Sequence, residues 1–183
     1  MIAFHTIPDA FSVAECAQLT EIARAAPAAD AGLVRATTEH NLRRADLVWL
    51  DDLPETGWVM DRLIDLVARA NREVFDFDLT DFSESPQIAR YGAEREGHFT
   101  WHSDIGEGRL ASRRKLTLVT QLSDPGAYEG GTLEVWMNSN CATAELAPGT
   151  AVLFPSFALH RVLPVTAGER FSLTVWAHGA PFR

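Results

Sequence analysis

The stretch Trp101-His102-Ser103-Asp104 sets an imidazole and a carboxylate two residues apart. On an extended strand side chains alternate faces, so residues i and i+2 point the same way. A strand carrying this pair would aim one nitrogen donor and one oxygen donor at a single spot, the start of a metal site. The pair alone does not define such a site; the sequence on either side does.

Around it, from Ser85 onward, short β-prone runs are broken by Gly, Pro, Asn and Asp. They cover residues 87–91, 115–122, 132–135, 150–154, 160–165 and 171–178, a spacing that predicts a sandwich or barrel. Upstream the periodicity is helical. Ser12 with Glu15 forms a capping box, Phe11 and Cys16 a hydrophobic staple, and Pro27 a stop, which predicts a helix over 12–26. Val13, Cys16, Leu19, Ile22 and Ala23 share its apolar face. After Pro54 a second stripe, Trp58, Val59, Leu63, Leu66, Val67, Ala70 and Val74, predicts a helix over about 56–75. Between the helices a polar segment, 38–46, leads into a short apolar strand at 47–50. That segment is either a solvated loop or a carrier of substrate-contacting groups, with Asn41, Arg43 and Arg44 the candidates. No repeat or linker interrupts the chain. The expectation is one α+β domain over 1–183, with 1–85 a helical support and 86–183 a β core.

The bulk numbers restrict the function. The 183 residues suffice for one sizeable core, and 46% hydrophobic residues is ordinary for a globular protein. With 16 basic against 25 acidic residues the net charge is -9, and nucleic acid is a poor default partner. Cys16 and Cys141 lack metal-like spacing, which fits a reduced chain. The first residues show no basic segment followed by an apolar run, and no stretch approaches a bilayer span of about 20 residues. The expectation is a cytoplasmic protein without membrane contact.

A third donor stands at His160, opening a β run after the turn at Pro155. Two imidazoles and a carboxylate on one face of an octahedral ion leave three positions free, the facial triad of non-haem Fe(II) sites. Ten residues on, Arg170 shares a strand face with Ser172, Thr174 and Trp176. A guanidinium fork with a hydroxyl at i+2 suits a carboxylate, and an inward arginine without an anion would be costly.

The pattern His102-x-Asp104, His160, Arg170-x-Ser172 resembles the Fe(II)/2-oxoglutarate-dependent oxygenases, and within them the prolyl-4-hydroxylase-like branch. The resemblance covers about residues 86–180. It includes Gln87-Ile88-Ala89-Arg90-Tyr91, Leu122-Ser123-Asp124, Gly130-Gly131-Thr132-Leu133 and Ala147-Pro148-Gly149. It implies a double-stranded β-helix, a cupin-like jelly roll, with the N-terminal helices packed on one sheet. His102, Asp104 and His160 would bind Fe(II), and Arg170 with Ser172 the far carboxylate of the cosubstrate 2-oxoglutarate. Tyr91 would touch the cosubstrate, and Trp176 would wall the iron pocket. Alternation along 115–122 puts Thr117, Val119 and Gln121 on one face, expected toward the cosubstrate. Two departures are visible. Phe99 stands where the branch often has a tyrosine, so one hydrogen bond to 2-oxoglutarate is absent or comes from elsewhere, with Gln121 a candidate. Arg170 stands where collagen-type prolyl hydroxylases use lysine.

The implied reaction is hydroxylation of an unactivated C–H bond by O2, with 2-oxoglutarate converted to succinate and CO2 and ascorbate a candidate reductant. The substrate would be an amino acid, a prolyl-like peptidyl residue or a related small metabolite. His98, Asn41, Arg43 and Arg109 are the candidate contacts, with the loops 92–99 and 105–114 around the mouth. Two alternatives stay open: a non-catalytic cupin-type metal or ligand binder, and a nucleic-acid demethylase on the same fold. Arg170-x-Ser172 argues against the first and the acidic balance against the second. Oligomeric state is not legible.

Overall fold

Ser12 caps the first helix as expected. Its hydroxyl accepts from the Glu15 N–H at 3.2 Å, and the Glu15 carboxylate accepts from the Ser12 N–H at 2.7 Å. In the computed structural model, which describes residues 4–30, 33–34, 37–38 and 42–182, this helix follows a first short strand. In chain order the elements are β1 (His5–Ile7), α1 (Val13–Ala25), β2 (Ala29–Asp30), β3 (Leu33–Val34), β4 (Thr37–Thr38), β5 (Arg43–Arg44) and β6 (Asp46–Trp49). Then come α2 (Gly57–Ala70), β7 (Leu79–Asp81), β8 (Gln87–Gly92), β9 (His98–His102) and β10 (Arg114–Gln121). The chain closes with β11 (Tyr128–Gly130), β12 (Leu133–Met137), β13 (Asn140–Thr143), β14 (Ala151–Pro155), β15 (His160–Val162) and β16 (Val165–Gly179).

Apart from β3 and β4, which pair only with each other, the strands build two antiparallel sheets. The larger runs β1-β14-β10-β16-β8-β6-β2, with β7 and β11 also pairing β16. The smaller runs β13-β12-β15-β9-β5. Such facing sheets with non-consecutive neighbours are the expected jelly roll. Period-2 alternation divides the apolar residues into two cores. Leu116, Leu118, Leu153, Leu173 and Val175 point away from the small sheet and meet Cys16, Leu19, Leu63 and Val67 of the helices. Val119, Val152, Phe154, Val135 and Val162 point between the sheets. The helices therefore pack on the larger sheet only, as expected. Gly149 locks them on: at φ 82 its carbonyl accepts from the Phe11 N–H, and a Cβ there would stand 1.9 Å from the Phe11 carbonyl oxygen.

Three local expectations are corrected. The helix expected over 56–75 is α2 followed by a π-helical turn, Asn71–Phe75, ended by Asp76 at φ 52 and stitched by Asn71 to both backbone groups of Phe77. The run expected at 160–165 is not one strand. Pro164 has no N–H to give a ladder, so β15 stops at Val162 and β16 starts beyond the turn. The strand holding His102 ends there, and Asp104 sits two residues further on in a bend, its N–H donating to the Ser156 carbonyl at 2.9 Å.

Candidate active site

His102 and His160 lie directly opposite each other across β9 and β15, with ring centroids 4.1 Å apart. Each Nδ1 faces a backbone carbonyl, Thr100 at 2.8 Å and Ala158 at 3.0 Å. A carbonyl only accepts, so each Nδ1 carries the proton and each Nε2 presents its lone pair. The two Nε2 atoms flank the Asp104 carboxylate, at 3.7 Å from Oδ1 for His102 and 3.5 Å from Oδ2 for His160. One donor atom from each of the three residues lies within 4.8 Å of the others. Burial first, then the neighbouring His160, holds His102 down at about 4, so its ring is neutral near pH 7. Burial pulls Asp104 upward. The two imidazoles and the hydrogen bonds from Trp176 and Thr117 outweigh it and hold the carboxyl at about 2. Two free imidazole lone pairs and one ionised carboxylate form a donor set that fits a divalent first-row metal ion.

A ring of side chains fixes the carboxylate. Trp176 Nε1 donates to Asp104 Oδ2 at 3.0 Å, and Thr117 Oγ1 donates to the same oxygen at 2.7 Å while touching Ser156 Oγ at 3.0 Å. Arg114 donates to the Asp104 carbonyl at 3.0 Å and lies over the Trp176 ring at 3.9 Å. Glu84 grips Arg114 through both carboxylate oxygens. The same Glu84 accepts from Nε2 of the fully buried His178 at 2.9 Å, and His178 Nδ1 accepts from the Ser83 N–H. A chain of partners thus runs from Ser83 through His178, Glu84 and Arg114 to the backbone carbonyl of Asp104.

His102, Asp104, His160, Arg114, Thr117 and Trp176 line one cavity of about 580 Å³, which also holds Arg170, Ser172, Thr174 and Tyr91. Arg170 is 2% exposed, yet its Nε and Nη1 have no hydrogen-bond partner. Its guanidinium lies 5.6 Å from the Tyr91 ring centroid and faces the Tyr128 hydroxyl, which takes a hydrogen bond from Gln121. Burial pulls its pKa down, but an arginine remains charged. A buried guanidinium with two idle N–H groups calls for a carboxylate. Gly131 lets the side chain through: at φ 64, a Cβ there would meet Arg170 Cδ at 2.9 Å.

The structure brings together His102, Asp104, His160, Arg170, Ser172, Tyr91, Thr117, Trp176 and Arg43. Thr117 and Trp176 hold Asp104 by hydrogen bonds. Gln121 is one layer further out, behind Tyr128. His98 lies on a neighbouring cleft with Trp101 and Arg161, and Arg109 is exposed on the loop after Ile105. Asn41 lies outside the described residues. Tyr128, Glu84 and Ser156 escaped the sequence reading. Only Tyr128 had a local signal, two residues before the Gly130-Gly131 turn.

A two-sheet jelly roll with a His-Asp-His donor set beside a buried arginine is an arrangement that could hold a non-haem metal ion next to a carboxylate. The sequence model of the 2OG-Fe(II) oxygenase superfamily matches residues 86–178, and the chain belongs to that superfamily, whose members use Fe(II), 2-oxoglutarate and O2. A PKHD-type hydroxylase of Hyphomonas neptunium is 40% identical over 76 residues, covering 42% of this chain and 34% of the relative. The chain thus matches about a third of that relative's length. Among solved structures, a prolyl hydroxylase from Trichoplax adhaerens, in complex with a hypoxia inducible factor peptide fragment, superposes with a TM-score of 0.79 at 16% identity. It covers 96% of this chain and 83% of its own. A Pseudomonas putida prolyl-4-hydroxylase superposes at 0.73 with 22% identity, over 97% and 93%. Among the described residues no helix is long and apolar enough to cross a membrane.

Proposed function

We propose that this protein is an Fe(II)- and 2-oxoglutarate-dependent hydroxylase acting on an amino acid, a prolyl-like peptidyl residue or a related small metabolite, with release of succinate and CO2. The observation that carries this reading is the meeting, in one cavity, of the three donors with the unpartnered N–H groups of Arg170. A pure metal-storage site has no use for a buried idle guanidinium. His102, Asp104 and His160 would hold the iron. Arg170, with Ser172 beside it, would hold the distal carboxylate of 2-oxoglutarate, while Tyr91 and Tyr128 pack around the guanidinium. Bound there, iron and cosubstrate together supply the oxidising chemistry. The chain's own task is to keep both imidazoles in the metal-binding tautomer, keep Asp104 ionised and oriented, and shield the reacting centre from water.

The test is succinate release from 2-oxoglutarate by the Fe(II)-loaded protein, beside calorimetric titration of 2-oxoglutarate into the Mn(II)-loaded form. Asp104→Ala is expected to lose turnover and metal affinity while keeping the cooperative melt. Arg170→Met is expected to weaken 2-oxoglutarate binding by at least about 100-fold, the loss of a charged fork. Full activity in Asp104→Ala, or wild-type 2-oxoglutarate affinity in Arg170→Met, would refute the assignment.

A further inference from the structure

Three arginines line the cavity: Arg43, Arg114 and Arg170. Glu84 neutralises Arg114, and the proposed function, on which this inference rests, assigns Arg170 to the cosubstrate. Arg43 is left over. It stands on β5, the edge of the small sheet, paired in register with Phe99. Its Nε is buried without a hydrogen-bond partner, and among the described residues no carboxylate pairs with it. Other arginines of this acid-rich chain do find acids: Arg44 takes Glu96, Arg90 takes Asp46 and Glu169, and Arg161 takes Glu134. With 25 acidic residues available against 16 basic ones, an arginine inside a cavity without an acid is set aside for a ligand.

The position says which ligand. The Arg43 guanidinium lies over the Phe99 ring at 4.6 Å, and Phe99 stacks on His102 at 3.4 Å between centroids. The stack sets the cation two layers from a metal-facing imidazole, on the sheet opposite the one that carries Arg170. A bulge makes this possible. Val162 pairs Phe99 and His160 pairs His102, so two residues of β9 oppose Arg161 alone, and Phe99 and His102, three apart, both line the cavity.

We propose that Arg43 seats a carboxylate of the molecule that is oxidised, so that the substrate is a carboxylic acid: a free amino or imino acid, or the carboxyl-terminal residue of a peptide. The backbone of a residue inside a peptide chain offers only a neutral amide there and leaves the Arg43 charge and its buried Nε–H without an anion. A site built to bind a charged group rejects analogues that lack it by orders of magnitude.

The experiment compares the twenty free L-amino acids with the same twenty as amides, and short proline-ended peptides with free or amidated termini. Internal prolines are presented as end-blocked Pro-Pro-Gly repeats. Two readouts are taken: stimulation of succinate release, and the melting shift of the Mn(II)- and 2-oxoglutarate-loaded protein without oxygen. The expected result is that acids act and their amides do not, with an acid-to-amide ratio in kcat/KM of about 100 or more. Arg43→Met brings that ratio to within about threefold, and Arg43→Lys restores part of it because charge without the planar fork remains. Free and peptide-bound acids are separated by the arm that responds. Amides or blocked repeats working as well as acids, no acid giving either signal, or a ratio that survives Arg43→Met overturns the proposal. So does an Arg43→Met change that raises the KM for 2-oxoglutarate while sparing the ratio, which would move Arg43 to the cosubstrate. Calorimetric binding of 2-oxoglutarate to the Mn(II)-loaded wild type separates the two levels. Its absence sinks the hydroxylase reading itself, whereas its presence beside an acid-blind panel sinks only the role of Arg43.

Discussion

At the scale of the residue, the centre works by restricting what each donor can do. Asp104 is a carboxylate whose Oδ2 already accepts from Trp176 and Thr117. These bonds favour the ionised form against the cost of burial and fix the plane of the group. Trp176 is thus a positioning residue. Trp176→Phe keeps most of the ring volume and removes the Nε1–H, so the protein should fold and melt within a few degrees of the wild type. Metal affinity should nevertheless fall about 10- to 100-fold, the usual effect of losing a group that orients a metal ligand. Titration with Mn(II) or Co(II) reads this directly. An unchanged affinity would mean that Thr117 and the backbone suffice to orient Asp104.

At the scale of the element, turns decide where the long side chains go. Gly130 and Gly131, at φ 77 and 64, occupy the left-handed region before β12 and face the turn at Pro164. Gly131→Ala adds a methyl group 2.9 Å from Arg170 Cδ and 2.9 Å from Val165 Cγ2. The guanidinium stem must move, so the KM for 2-oxoglutarate should rise by about tenfold or more, while Mn(II) affinity tracks any general loss of stability. Equal losses in both would show that the turn supports the fold and not the arginine. The same elements show how much was legible in the sequence. Helix α1 was read to within a residue because its capping box, staple and proline are local. His102, His160 and Arg170 could be expected to meet because their order and spacing survive in one dimension, although Asp104 joins them from beyond the strand end. The bulge in β9 could not be expected, since it depends on Val162 and Phe99 finding each other across two strands far apart in sequence. Glu84 and Tyr128 were missed for the same reason: each reaches its arginine only through the sheet order. The break at Pro164 is legible, since a proline has no N–H for the ladder even inside an apolar run.

At the scale of the whole molecule, folding gathers two largely buried imidazoles and a carboxylate in one cavity, and the metal-free protein bears the consequence. The His102 ring, ordinarily near 6.5, is held at about 4 by burial first and by His160 second. Between pH 4 and 6.5 the unfolded chain therefore binds a proton that the folded chain resists. The slope of stability with pH is positive there: the contribution is complete above about 6.5 and is lost as pH falls toward 4, on the order of 3 kcal/mol at the limit. Asp104 acts in the same direction lower down. Its carboxyl is held at about 2 against an ordinary 3.8, so its share is present above 3.8 and lost as pH falls through 2. The metal-free protein should thus melt at a nearly constant temperature from pH 8 to 7 and progressively lower from 6.5 to 4.5. Bound Mn(II) or Co(II) should raise the curve most at neutral pH, because protons compete for the same lone pair. Replacing the ring by His102→Gln removes the titrating group and should flatten the profile between pH 6.5 and 4.5. A wild-type melting temperature that is level across that window, or a His102→Gln profile as steep as the wild type, would mean that the imidazole is solvated in the folded protein and that the centre is wetter than its packing indicates.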